Sequence, residues 1–237
     1  MENIKDNVLS IRERIHEACI KANRPSSAVK LLLATKTLSP EIILHAFSLG
    51  ERLIGENRAQ ELVEKYDALK IVDHQTHFIG HLQSNKIKSV IDKVSCIESV
   101  DSVSLAEKIN ARLVEQKLVM NVFVEVNTSG EISKHGCKPE ALIDIVGKIA
   151  ELPALHICGL MTIGALSDDT KKVRECFALL RNLSEKVNEQ HVPGVCMHEL
   201  SMGMSSDFEL AIAEGATEVR IGSAIFGKRP APTTAQK

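Results

Sequence analysis

Apolar residues recur along this chain in two rhythms. Ile4, Val8, Ile11, Ile15 and Cys19 fall three or four apart, which predicts an amphipathic helix over about residues 1–22 resting on another part of the molecule. Asn23-Arg24-Pro25-Ser26-Ser27 breaks that helix. From there, short apolar runs alternate with longer helical stretches. Runs at residues 29–34, 52–54, 76–79, 95–97, 119–126, 155–161, 196–200 and 218–221 predict strands. The stretches 40–49, 58–69, 84–92, 102–116, 139–152, 168–188 and 207–213 predict the helices between them.

Strict strand–helix alternation implies a parallel sheet with its helices outside. About eight such units in 237 residues predict a closed (β/α)8 TIM barrel with one extra N-terminal helix. The chain then reads as a single domain over residues 1–237, its barrel spanning about 29–227. A doubly wound open sheet is the rival, because periodicity does not establish closure. The Pro/Thr/Ala-rich tail at 229–237 is expected to fray.

Composition narrows the function. The formal net charge is -2 with charges interspersed, and aromatic residues make up 3%, so neither a basic face nor a base-stacking surface is expected. Nucleic acid and anionic membranes are therefore excluded as expected partners. Six cysteines are scattered without a C-x-x-C pair, the pattern of reduced thiols in a cytoplasmic protein. The first ten residues are too charged for a secretion signal, and no apolar run is long enough to span a bilayer.

In a barrel, chemistry collects where strands end and the following loops begin. Lys36 stands at such a place, just past the first strand. An ammonium partly desolvated by the barrel wall loses its proton more readily, and the free amine attacks carbonyls. Taken alone, a solvated strand-end lysine is the plainer reading. Two turns of small residues change the balance. Ser201-Met202-Gly203-Met204-Ser205-Ser206-Asp207 and Gly222-Ser223-Ala224 follow the seventh and eighth strands. Loops there often bind phosphate through backbone amides at a helix start. Ser206 or Asp207 would otherwise serve as a simple N-cap. A phosphate-bearing aldehyde fits the three places together.

The other candidates are weaker. His74, His77 and His81 lie on a predicted strand and its flanks, which scatters them, and no carboxylate or cysteine cluster is evident to complete a metal site. Ser133-Lys134-His135 reads as a polar loop after the fifth strand, and Asp168-Asp169 as a helix start. Met161, Met202 and Met204 read as core or pocket filler.

Several longer motifs carry a resemblance. Leu33-Ala34-Thr35-Lys36-Thr37, Gly55-Glu56-Asn57, residues 77–86 (HFIGHLQSNK), Gly159-Leu160-Met161, residues 200–208 (LSMGMSSDF) and residues 219–227 (VRIGSAIFG) resemble, in order and spacing, the pyridoxal phosphate homeostasis protein family. These proteins resemble the barrel domain of alanine racemase, among fold-type III PLP enzymes. The resemblance implies pyridoxal 5'-phosphate (PLP) held as a Schiff base on Lys36. It implies a phosphate held by the Ser201 turn and by the amides of Gly222 and Ser223. Arg220 would face the pyridine nitrogen, and Asn57 would border the cofactor. A guanidinium beside that nitrogen keeps it unprotonated and weakens the electron sink that PLP catalysis needs. Thr35 stands where many members carry serine, and the Asn127–Gly136 loop follows one of several family versions.

The expected role is to hold, buffer or deliver PLP, with PLP-dependent apoenzymes as expected recipients. A racemase needs a second acid/base, which alanine racemase takes from a tyrosine of an additional β-domain. Here the chain is expected to lack that domain, and its one tyrosine, Tyr66, falls on a predicted outer helix. General acid–base groups contribute roughly 10²–10⁴-fold, so no robust catalysis is expected. A monomer is expected, since racemases dimerise partly through the second domain. The alternatives are a racemase-like enzyme working from Lys36 alone and a sugar-phosphate aldolase that binds no PLP.

Overall fold

In a computed structural model, which describes residues 2–227, the eight apolar runs become eight parallel strands. These are β1 (Lys30–Ala34), β2 (Leu53–Glu56), β3 (Gln75–Phe78), β4 (Cys96–Val100), β5 (Met120–Glu125), β6 (Leu155–Met161), β7 (Glu199–Ser201) and β8 (Glu218–Ile221). They pair in chain order, and β8 returns to β1 with Lys30 opposite Glu218 and Leu33 opposite Ile221. That pairing closes the barrel and removes the open-sheet rival. The tail at 229–237 lies outside the described residues.

The helices are α1 (Glu2–Lys21), α2 (Pro40–Ser48), α3 (Ala59–Leu69), α4 (Ile87–Val90), α5 (Val103–Gln116), α6 (Leu142–Ala150), α7 (Thr170–Glu189), α8 (Phe208–Ala213) and α9 (Ser223–Phe226). Helix α1 buries Val8, Ile11, Ile15 and Cys19 against α8 and α9, as its spacing predicts. Asn7 Nδ2 donates to Ile225 O at 2.8 Å, and Arg12 bonds Glu51 through both ends of its fork, at 3.0 and 2.6 Å. Asp169 caps α7 by accepting from the amides of Lys171 and Lys172, the helix start read from its sequence.

Three elements depart from the pattern. The helix predicted over 84–92 is a 3₁₀ turn, Ser84–Lys86, followed by the single turn α4. Ile87, Val90 and Ile91 are buried there, so the helical spacing is real although the helix is short. The seventh strand begins at Glu199 rather than residue 196, because His198 N turns back to Cys196 O at 3.1 Å. Asp207 does not cap α8: its Oδ1 accepts from Met204 N at 2.6 Å and folds the preceding loop instead.

Candidate active site at the barrel mouth

The segment carrying Lys36 leaves the end of β1 under restraint from both sides. The Lys65 ammonium on α3 donates to Thr35 O and to Glu56 Oε1, both at 2.9 Å, and Thr35 Oγ1 donates to Glu56 Oε1 at 2.6 Å. On the other flank, Thr37 N donates to Glu61 Oε2 at 2.6 Å. Thr37 sits in the left-handed region at φ 66°, a costly conformation for a β-branched residue that these bonds hold in place. Lys36 itself is half-buried between the two anchors. Burial raises the Glu56 carboxyl above its ordinary range, against the opposing pull of Lys65.

On the neighbouring strand, where it pairs with Leu32 of β1, Arg220 points inward from β8. Its Nη1 donates to Ser201 Oγ and its Nη2 to Thr162 O, each at 2.7 Å. The Ser201 hydroxyl, in turn, faces Glu98 Oε2 at 2.6 Å and Glu218 Oε1 at 2.9 Å, and His77 Nδ1 lies 2.6 Å from Glu98 Oε1. Glu98 and Glu218 are completely buried. Burial opposes ionisation of Glu98, but His77 and Arg220 outweigh it and hold that carboxyl below its ordinary range. Burial and the charge of Glu98 push the Glu218 carboxyl well above its own. The guanidinium thus rests on a hydrogen-bonded polar layer through Ser201 and Thr162 O, which fixes its orientation at the mouth.

The loops after β7 and β8 meet as expected. Ser205 Oγ accepts from Gly222 N at 3.4 Å and from Ala224 N at 3.3 Å, at the start of α9. Ser223 is exposed beside them. Ser201 is placed differently: its hydroxyl serves Arg220 in the interior, and Ser205 is the serine at the paired turn. Asn57 directly follows β2, half-buried, and its Oδ1 is buried without a hydrogen-bond partner. Lys36, Asn57, Arg220, Gly222 and Ser223 therefore all belong to the ends of β1, β2 and β8 or the loops that follow them.

Sequence reasoning missed Glu56, Lys65, Glu98, Glu218 and the role of His77. It also saw no carboxylate cluster near the histidines, whereas the fold brings Glu98 and Glu218 to within 3.6 Å of His77. The available signal was a carboxylate within a predicted strand run, as in CIESV and EVRI, where burial demands a partner.

Glu125, at the end of β5, is also buried. Burial first, and then the charge of Asp101, raise its carboxyl to about 7. The folded protein therefore holds a proton there that the unfolded chain releases near pH 4.5. Stability contributed by this group must fall as pH rises from about 4.5 to about 7 and level off above. Glu125→Gln is expected to remove that decline. Urea unfolding at both ends of the window should show the variant gaining up to about 3 kcal/mol on the wild type at the alkaline end. Parallel pH profiles for the two proteins would show that Glu125 titrates normally.

The fold and its mouth are those of one class of barrel protein. The family model described as the N-terminal domain of alanine racemase matches residues 1–230. A protein of Aquifex aeolicus named pyridoxal phosphate homeostasis protein is 43% identical over 227 residues, covering 96% of this chain and 99% of its own. The chain belongs to the pyridoxal phosphate homeostasis protein family. Among solved structures, an unknown protein from Bifidobacterium adolescentis superposes with a TM-score of 0.92 at 44% identity, covering 95% of each chain. PipY of Synechococcus elongatus, with PLP bound, superposes with a TM-score of 0.82 at 32% identity, covering 94% of this chain and all of its own. No helix among the described residues is long and apolar enough to cross a membrane.

Proposed function

We propose that this protein binds PLP covalently through Lys36 and serves PLP homeostasis by holding the cofactor and releasing it to PLP-dependent apoenzymes. The observation that carries the reading is the restraint of the Thr35–Thr37 segment, which holds Lys36 at the end of β1, the strand beside the one that carries the fixed Arg220 guanidinium. The names of the relatives and the PLP-bound PipY support it.

The residues present fit the cofactor. Asn57 Oδ1 is a buried acceptor with no partner among the described residues, as expected of a group that borders a ligand. The Gly222 and Ala224 amides converge on one oxygen, Ser205 Oγ, and would hold a phosphate oxygen once that hydroxyl turns aside. When bound, PLP supplies an aldehyde that an amine captures reversibly with loss of water. Lys36 supplies the amine. Ser205, Gly222 and Ser223 hold the phosphate, and Ser201 acts one step back by seating Arg220. Arg220 would place a permanent cation, itself a donor, beside the ring nitrogen, which would then stay unprotonated.

Holding rather than catalysis follows from the same groups. Arg220 disfavours the protonated ring that stabilises carbanions. The one tyrosine, Tyr66, sits on α3 with its ring against Lys70 and Lys93, outside the barrel. The test is the absorbance spectrum of purified protein with added PLP, then borohydride reduction and peptide mass mapping. A coloured protein with the reduced adduct on Lys36, little amino-acid turnover and transfer of PLP to an apoenzyme is the expected result. A colourless protein without an adduct would overturn the cofactor reading, and efficient turnover would overturn the holding role.

A further inference from the structure

Two features set aside in the sequence meet at the mouth, on the side of β3, β4 and β5. His74 and His77 are scattered as predicted, with His74 Nδ1 2.7 Å from Val72 O and His77 turned into the interior. His81 instead stacks on His135 of the polar loop after β5, with ring centroids 4.0 Å apart and planes inclined by 11°. His81 Nδ1 lies 3.8 Å from Asp101 Oδ2. One ligand atom from each of the three residues falls within 4.8 Å of the others. We propose that His81, Asp101 and His135 form a binding site for a divalent transition-metal ion of the Zn2+, Co2+ or Ni2+ type.

Each backbone station is fixed while its side chain keeps freedom to close on an ion. Asp101 Oδ1 accepts from Ser102 Oγ at 3.0 Å, leaving Oδ2 to face the histidines. His135 lies between two anchored neighbours. Lys134 Nζ bonds Glu131 Oε1 and Gly164 O, both at 2.8 Å. Gly136 sits at φ 109°, where a Cβ would come within 2.6 Å of Asn127 N. Gly80, just before His81, packs so tightly that a Cβ there would lie 2.1 Å from Asn57 O. The His81 side chain is 41% exposed and that of Asp101 21%, so an ion in solvent has direct access.

The chemistry selects the ion. Two imidazoles and one carboxylate suit zinc-like ions, whereas calcium and magnesium prefer oxygen donors. Ligand atoms about 2.1 Å from a tetrahedral ion lie about 3.4 Å apart, which the two rings reach by turning out of their stack so that both lone pairs converge. Three protein ligands leave a position open to water or an anion at the barrel mouth.

The test is a Co2+ titration of the full chain without PLP, read by visible ligand-field absorption, so its outcome is independent of the cofactor reading. One Co2+ per chain is expected, displaced by Zn2+. Losing a neighbour of a metal ligand already costs roughly 10- to 100-fold in affinity, so His81→Ala and His135→Ala should each weaken binding by about 100-fold or more. Asp101→Asn should also weaken it, and Cys196→Ser should change nothing. Far-UV circular dichroism confirms that the variants remain folded. Absence of uptake, unchanged affinity in both histidine variants, or loss of binding in Cys196→Ser would each overturn the proposal.

Discussion

Lys36→Ala is expected to abolish the reducible PLP adduct while leaving weaker, phosphate-anchored binding. The loss should be complete because neighbouring ammonium groups are already committed. Lys65 Nζ is held by Glu56, Glu61 and Thr35 O, and Lys134 Nζ by Glu131 and Gly164 O. Moving either to an aldehyde would break charge-assisted hydrogen bonds, each worth roughly 1.5–3 kcal/mol. Residual binding should persist because the Gly222 and Ala224 amides and Arg220 remain in place. Absorbance of the variant with PLP, followed by reduction and mass measurement, checks both halves. An adduct equal to that of the wild type would remove Lys36 from its role. Full retention of wild-type affinity would show that the covalent link contributes nothing to holding.

The barrel and the ends of its strands were legible because local periodicity carries them. Apolar runs fall on strands, amphipathic stretches on helices, and the loops bearing Lys36, Ser201–Ser205 and Gly222–Ser223 follow from their order. What remained hidden depends on residues far apart in the chain. Ser201 and Glu98 are 103 positions apart yet share a hydrogen bond, and Lys65 reaches Thr35 across 30. A short window cannot see such pairs; it registers Glu98 and Glu218 only as charges interrupting apolar strands. The same distance hid the meeting of His81 with His135. Ser201 and Ser205 show a finer limit. Both lie in one small-residue stretch of sequence, yet Ser201 ends β7 and faces Arg220, while Ser205 sits in the loop beyond and faces the amides of the next one.

Lys65→Met is expected to have the largest effect on stability of any substitution behind the mouth. Lys65 and Glu56 are both buried and pair at 2.9 Å. Removing the cation strands Glu56 in the wall of the barrel and deprives Thr35 O of a donor, and breaking one side of such a pair costs about 3–5 kcal/mol. The pH dependence distinguishes this cause from lost packing. Burial already raises the Glu56 carboxyl, and without Lys65 only the Thr35 hydrogen bond offsets it, so its folded-state value climbs further. A raised carboxylate favours the folded state at acid pH and loses that contribution as pH rises above the unfolded value. The deficit of Lys65→Met should therefore be small near pH 5 and grow towards pH 8 in denaturant unfolding. Adding Glu56→Gln should recover much of the loss at pH 8, because the stranded charge is then gone. The double variant should still form its PLP adduct more slowly than the wild type, since Thr35 no longer holds Lys36 from the side of α3. A pH-independent deficit would assign the cost to packing, and an unchanged rate of adduct formation would show that the Glu61–Thr37 bond alone positions the lysine.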